Sequence, residues 1–267
     1  MNIYEEAIEF HKSNGGKLDI NPKFNITSKH DLSLAYTPGV AGVCEAIAKD
    51  PSLAYELTIK KNTVAIVTDG SAVLGLGNIG ATASIPVMEG KALLFKEYAG
   101  IDAFPICIES QNTAEIVNIV KNITPMFAGV NLEDIAAPRC FEVETLLKDI
   151  GIPVFHDDQH GTAIVTLAAL INAAKLAKKD MRELKVVING AGAAGSAITD
   201  MLLSMNYIGQ ETASVQEIII CDSKGTLHES RPDLAENSSK LRLARKTNRN
   251  NVAGNLADAM IDADVFI

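Results

Sequence analysis

Short apolar runs rich in β-branched residues alternate along the chain with longer stretches of helical periodicity. The short runs predict buried strands at 63–68, 103–108, 126–132, 152–155, 185–189, 217–221 and 264–267. The longer stretches predict helices at 3–13, 41–48, 81–99, 113–122, 141–150, 162–179, 196–205 and 255–263. Strands that alternate with helices are typical of α/β proteins, so the pattern predicts parallel sheets covered by helices.

Acidic residues stand directly after several of these strands: Asp69, the pair Glu133-Asp134 and the pair Asp157-Asp158. We expect them at one edge of a sheet, because the carboxyl ends of parallel strands form the edge where such sheets bind ligands. Adjacent carboxylates repel each other unless a cation, a proton or helix N–H groups offset the charge. Helix capping would explain Asp157 and Asp158 alone. The second acidic pair favours a cation site.

Two other side chains are candidates for proton transfer. Lys91 lies in the predicted helix 81–99 among apolar neighbours, where a partly buried lysine could act as a base. A solvated helix lysine is the alternative that the pattern leaves open. Tyr36 precedes the turn Pro38-Gly39, and its spacing alone favours an ordinary half-buried aromatic residue over a catalytic one.

Two segments match G-x-G-x-x-G, and they differ in context. GLGNIG at 75–80 follows its strand by several residues and is a weak dinucleotide fingerprint. GAGAAG at 190–195 directly follows a strand and opens a helix, which is the arrangement that binds a pyrophosphate. Its cofactor-binding residues are Gly190, Gly192, Ala193, Ala194 and Gly195.

The next strand ends at Asp222, which is predicted to accept the ribose hydroxyls and therefore favours NAD over NADP. Lys224 could instead pair with a 2′-phosphate, so NADP stays open. A basic run at 240–249 is predicted to be a solvated helix face.

Composition narrows the functional classes. The chain has 267 residues, 47% hydrophobic and 21% charged, which is ordinary for a globular α/β protein. Its net charge of −9 argues against nucleic acid and anionic membranes as partners. Scattered cysteines, an acidic N-terminus and the lack of an apolar run of spanning length predict a soluble, cytoplasmic protein with reduced thiols.

The order of the motifs predicts two domains. Residues 1–160 form an N-terminal α/β domain that carries the metal and catalytic residues, and residues 161–267 form the front part of a Rossmann-type dinucleotide-binding domain. A Rossmann sheet needs strands beyond Ile267 to cover its edge. We therefore expect the sequence to be the front part of a longer protein.

Together these motifs resemble the malic enzyme family in its shorter, bacterial-type form. The matching segments are YTPGVA (36–41), TDGSAVLGLGNIG (68–80), MEGK (88–91), EDI (133–135), HDDQHGTA (156–163) and GAGAAG (190–195). The resemblance implies oxidative decarboxylation of L-malate to pyruvate and carbon dioxide with NAD or NADP and Mg²⁺ or Mn²⁺. It also implies a homodimer or larger homo-oligomer.

The resemblance also assigns residue roles. Glu133, Asp134 and Asp158 match the metal ligands, and oxygen-only ligation suits a hard octahedral cation. Lys91 matches the general base and Asp157 its carboxylate partner. Tyr36 matches the general acid that protonates C3 of the enol.

One position departs from the family pattern. The long eukaryotic members carry a carboxylate-binding arginine where this chain has Ala72, so the substrate carboxylate must be bound from elsewhere. Two other functions also fit parts of the sequence. One is a metal-independent two-domain dehydrogenase of amino or hydroxy acids, and the other is a non-catalytic nucleotide-binding fragment.

Overall fold

The structure, a computed structural model, describes residues 2–73, 75–203 and 215–267. The fold consists of two compact units, each considered by itself. Unit 1 comprises Met1–Ile135 and Val143–Phe155, and unit 2 comprises Ala136–Glu142 and His156–Ile267. The predicted domain boundary after residue 160 stays a prediction.

The secondary structure follows the predicted alternation of strands and helices. The helices are α1 (Ile3–Asn14), α2 (Lys29–Ala35), α3 (Val40–Lys49), α4 (Ala54–Leu57), α5 (Ala81–Ala99), α6 (Thr113–Ile123), α7 (Arg139–Leu147), α8 (Thr162–Ala177), α9 (Ala193–Leu203), α10 (Ser238–Lys246) and α11 (Leu256–Ala259). The strands are β1 (Thr63–Thr68), β2 (Asp102–Cys107), β3 (Gly129–Leu132), β4 (Val154–His156), β5 (Lys185–Asn189), β6 (Glu217–Asp222), β7 (Gly225–Thr226) and β8 (Val265–Phe266).

The sheet of unit 1 has the strand order β2-β1-β3-β4. β1 pairs in parallel with β2, starting at Thr63 opposite Asp102, and in parallel with β3, starting at Val64 opposite Gly129. Ala65, Ile66 and Val67 are fully buried, as expected for a parallel strand covered on both faces. The carboxyl ends of β1 and β3 therefore lead into Asp69 and Glu133 at one edge.

Helix α5 covers this sheet over the predicted residues, Ala81–Ala99. Its two boundaries are glycines with positive φ, Gly80 at 81° and Gly100 at 67°, a conformation that side chains with a Cβ rarely adopt. Met88 and Ala92 are buried against Ile66 of β1. This packing fixes the helix that carries Lys91.

The sheet of unit 2 has the strand order β7-β6-β5-β8. β5 pairs in parallel with β6 and with β8, and the short β7 returns antiparallel to β6. Ile188 and Ile220 of the sheet pack with Ile198 of α9 in the unit's main hydrophobic core. The predicted α/β class with parallel sheets is confirmed.

One helix begins three residues earlier than the sequence pattern indicates, and another is preceded by a helical turn that the pattern does not predict. α9 begins at Ala193 rather than at residue 196, and residues 204–205 of that prediction lie outside the described residues. A π-helical turn, Asp157–Gly161, leads directly into α8. By length and composition the combined segment Asp157–Ala177 could cross a membrane, contrary to expectation. One such helix is weak evidence, because core helices of soluble proteins meet the same criterion.

Candidate active site

Lys91 and Glu133 form an ion pair at the edge of the unit 1 sheet. The Lys91 Nζ atom lies 3.1 Å from Oε1 of Glu133, and their side chains are 22% and 6% exposed. The amide of Asn131 donates to the other oxygen, Oε2, at 2.8 Å. Glu133 is therefore held at both oxygens, and Lys91 is partly buried, which is the less favoured of the two alternatives that the sequence left open.

Asp134 turns the chain directly after Glu133. Its φ is 53°, a left-handed conformation that is uncommon outside glycine and that asparagine and aspartate tolerate best. The N–H of Ala72 donates to its backbone oxygen at 2.9 Å, which ties the turn to the loop after β1. Both acidic side chains are buried.

The loop after β1 presents a third buried carboxylate, Asp69. It accepts hydrogen bonds from the backbone N–H of Ser71 at 3.0 Å and from its hydroxyl at 2.5 Å. A Cβ on Gly70 would lie 2.2 Å from the backbone oxygen of Gly80, so the loop closes on itself there. The glycines of 75–80 thus serve a tight internal turn, in keeping with the weak fingerprint. Leu74 lies outside the described residues.

Tyr36 lies at the end of α2, and its side chain is 67% exposed. Its backbone N–H donates to Leu32, and its carbonyl accepts from Val40. The backbone is therefore fixed at both sides of the residue. Unit 1 thus brings Lys91 and Glu133 together and leaves the Tyr36 ring at its surface.

Asp157 and Asp158 lie in the first turn of the helical segment that precedes α8 in unit 2. Negative charge there is favoured by the unsatisfied N–H groups and the helix dipole. Nδ1 of the fully buried His156 lies 3.8 Å from Oδ2 of Asp158. The pair directly follows β4 along the chain.

The glycine loop 190–195 connects β5 to α9. The N–H of Gly190 donates to Cys221 O at 2.9 Å, which ties the loop to the end of β6. A Cβ on Gly195 would lie 1.8 Å from Gly190 O, so only glycine fits there. A Cβ on Gly190 or Gly192 would meet no described atom within 4 Å. The loop therefore leaves an open approach to the N-terminus of α9, which suits a pyrophosphate.

Asp222, at the end of β6, is held by several basic groups. Arg231 donates to both carboxylate oxygens, at 2.8 and 2.7 Å, and Lys240 Nζ donates to Oδ2 at 2.6 Å. These hydrogen bonds, led by those from Arg231, keep the pKa of the carboxyl far below its usual range. Lys240 belongs to the basic run 240–249, which the sequence predicts to be a solvated helix face. Several of its side chains form ion pairs: besides Lys240, Arg242 and Lys246 pair with Asp200 of α9.

Sequence reasoning did not identify Asn131 or Arg231. Asn131 lies in β3, two residues before Glu133, which directly follows that strand, and this spacing places both side chains on one face. The two-residue spacing therefore could have identified Asn131 from the sequence. Arg231 lies beyond the β6–β7 turn, and no local pattern links it to Asp222.

Comparison with known proteins covers both units. Residues 16–148 match the family model for the malic enzyme N-terminal domain, and residues 159–263 match the model for the malic enzyme NAD binding domain. An NAD-dependent malic enzyme of Geobacillus stearothermophilus is 55% identical over the whole chain. An NADP-dependent malic enzyme of Rhizobium meliloti is 46% identical over 98% of it.

The chain spans 54% of the length of the first relative and 33% of the second. Among solved structures, an NAD-dependent malic enzyme of Thermotoga maritima superposes with a TM-score of 0.91 at 48% identity. That comparison covers 98% of this chain and 67% of the other.

Proposed function

This chain belongs to the malic enzyme family, and on that premise we propose that the whole protein oxidatively decarboxylates L-malate to pyruvate and carbon dioxide with NAD or NADP. The observation that carries the proposal is the pair Lys91–Glu133, a partly buried amine 3.1 Å from a buried carboxylate at a sheet edge. It supports a site where proton transfer and cation binding are adjacent.

We assign the base to Lys91. In its neutral form its amine would accept the proton of the C2 hydroxyl of malate, as hydride leaves C2 and a carbonyl forms. A bound NAD or NADP would supply the hydride acceptor. Asp157 is proposed as the carboxylate partner of the resulting ammonium.

We assign a divalent cation, Mg²⁺ or Mn²⁺, to Glu133, Asp134 and Asp158. The residues fit such an ion, because all three offer oxygen ligands and two of them are buried carboxylates whose charge is costly without compensation. When bound, the ion would supply Lewis-acid stabilisation of negative charge on substrate oxygen. Asn131 supports the assignment by fixing the second oxygen of Glu133.

We assign the acid to Tyr36. After carbon dioxide leaves, C3 of the three-carbon enol needs a proton to become the methyl group of pyruvate. A phenol hydroxyl can protonate an enolate when it is positioned beside C3. The exposure of Tyr36 leaves its hydroxyl accessible to substrate.

We assign the dinucleotide to the loop Gly190, Gly192, Ala193, Ala194 and Gly195, with Asp222 beside the adenosine ribose. The open approach over Gly190 and Gly192 supports backbone contact with the pyrophosphate. The family resemblance further supports a cytoplasmic location, a homodimer or larger assembly, and a domain boundary near residue 160.

The test is turnover of L-malate by the full-length protein, with NAD and NADP assayed separately and with Mn²⁺ or a chelator present. We expect reduced cofactor and pyruvate in equal amounts, and loss of both with chelator. Metal-independent cofactor reduction without pyruvate would favour a dehydrogenase that does not decarboxylate. A protein that binds Mn²⁺ and nucleotide but releases no pyruvate would overturn the proposal.

A further inference from the structure

Gln159 is a buried glutamine in the π-helical turn that leads into α8. The residue is only 5% exposed. Its amide nitrogen, Nε2, is buried and has no hydrogen-bond partner among the residues that the structure describes. An amide that gives up its contacts with water and gains none in return lowers the stability of a folded chain. Such a donor therefore needs a reason other than packing.

The position of Gln159 along its helix makes a polar side chain more costly. The main hydrophobic core of unit 2 includes Ala163, Leu167, Leu170 and Ala174 of α8. Residues at this spacing form an apolar stripe along one face of a helix. Gln159 lies four residues before Ala163 in a turn that continues directly into α8, so it extends the stripe by one turn. Packing alone would place an apolar side chain there.

The same stripe faces the proposed dinucleotide site. Ala191 of the glycine loop and Ala194 in the first turn of α9 pack against the core cluster that includes Ala163. The turn Asp157–Gly161 itself lies against α9. The N-terminus of α9 is where the glycine loop would receive a pyrophosphate. The amide of Gln159 is therefore on the side of its helix that is directed toward this site.

Gln159 also directly follows Asp158, a proposed ligand of the cation. In the proposed reaction hydride passes from C2 of malate to the nicotinamide, so the nicotinamide must lie beside the malate that the cation binds. The adenosine ribose is assigned to Asp222, at the end of β6. A residue next to Asp158 is therefore placed for the nicotinamide half of the dinucleotide and not for the adenosine half.

We propose that Nε2 of Gln159 donates a hydrogen bond to an oxygen of the ribose phosphate on the nicotinamide side of the dinucleotide. This inference rests on the proposed dinucleotide site, and it adds a binding residue that lies outside the glycine loop. The buried donor gains its acceptor when the dinucleotide binds. Its contribution therefore appears in the affinity for the cofactor and not in the stability of the protein by itself.

The binding test uses Gln159→Met in the full-length protein, which replaces the amide with an apolar side chain of similar length. Calorimetry gives the affinities for NAD, for NADP and for adenosine 5′-monophosphate, which lacks the nicotinamide half. We expect the variant to bind the preferred dinucleotide about tenfold less tightly, the usual loss for one hydrogen bond. The affinity for the monophosphate should equal that of the parent protein.

Thermal unfolding without nucleotide separates a ligand contact from a structural one. Gln159→Met should keep the Tm of the parent protein or raise it, because it removes a buried donor from an apolar stripe. A Tm that falls by several degrees would show that the amide stabilises the protein itself, and it would overturn the inference. Gln216→Met is the matched control, since Gln216 is an exposed glutamine of the same unit. It should change neither the affinities nor the Tm.

An unchanged dinucleotide affinity in folded Gln159→Met protein would overturn the inference and leave the dinucleotide site intact. An equal loss of affinity for the dinucleotide and the monophosphate would also overturn it, because the nicotinamide half would then not be what the amide contacts. If the parent protein binds none of the three nucleotides, the proposed dinucleotide site fails, and the inference fails with it.

Discussion

The Nζ atom of Lys91 lies 3.1 Å from Oε1 of Glu133, so the proposed base contacts a proposed ligand of the cation. The ammonium and a divalent cation would compete for the same carboxylate. Loss of the lysine should therefore affect proton transfer and cation binding in opposite directions, and the two effects can be measured separately.

Lys91→Met should lower kcat for malate by a factor of about 10²–10⁴, the usual contribution of a general base. Mn²⁺ affinity should stay the same or increase, because the competing ammonium is gone. Steady-state turnover and a Mn²⁺ titration measure the two effects. Lys96→Met is the control, since Lys96 lies on the same helix and pairs with Asp102. Activity within tenfold of the parent protein would contradict the role of Lys91 as base.

Asn131→Ala should weaken Mn²⁺ binding roughly tenfold, because residues that orient a metal ligand commonly contribute that much. The variant removes the donor to Oε2 of Glu133 and leaves the proposed ligands in place. Electron paramagnetic resonance of Mn²⁺ gives the affinity, and thermal unfolding shows whether the protein stays folded. Asn122→Ala, which removes an exposed amide, should change neither. An unaltered Mn²⁺ affinity in folded Asn131→Ala protein would contradict the assignment of Glu133.

Two alanine substitutions in the glycine loop should have different consequences. Gly195→Ala places a Cβ 1.8 Å from Gly190 O, so it should lower the Tm by several degrees and abolish nucleotide binding. Gly192→Ala meets no described atom within 4 Å and should leave the Tm almost unchanged while it weakens nucleotide binding. Differential scanning calorimetry with and without NADP measures both. Tight nucleotide binding by both variants would place the dinucleotide elsewhere.

The ion pairs of Asp222 should make stability depend on pH on the acid side. Its folded pKa is lowered by Arg231 and Lys240, so its contribution is complete above the unfolded pKa near 3.9 and is lost as pH falls below it. Asp222→Asn should be less stable than the parent at pH 6, and the difference should shrink toward pH 3. Urea unfolding at several pH values measures this.

The exposed Asp262 provides the control for that experiment. Asp262→Asn should follow the parent curve. A difference between Asp222→Asn and the parent that is the same at pH 6 and at pH 3 would show that the acid sensitivity has another origin.

Local patterns predicted the elements whose boundaries are marked by glycine or by a change in periodicity. β1 and β5 have the predicted residues, and so does α5, which lies between Gly80 and Gly100. The helical turn Asp157–Gly161 was not predicted, because two acids, a histidine and Gly161 in succession are typical of a loop. This turn accommodates Asp157 and Asp158, because the N-terminus of a helix favours negative charge.

The candidate site was predictable as a set of residue types and much less as a set of contacts. The strand ends and the glycine loop identified Glu133 and Gly190 from the sequence. The engagement of Asp222 was not predictable, because it depends on Arg231 reaching back across the β6–β7 turn and on Lys240 from α10. Such contacts are set by tertiary packing, and the fingerprint of an acid after the second strand does not encode them.

The hydrogen bond from Gly190 N–H to Cys221 O has a consequence for how a nucleotide is received. It joins the loop proposed for the pyrophosphate to the strand end proposed for the adenosine, so the distance between the two is set before any ligand arrives. A rigid surface of this kind loses little conformational entropy on association. The ordering cost of binding then falls on the nucleotide, which must match the spacing that the protein already holds.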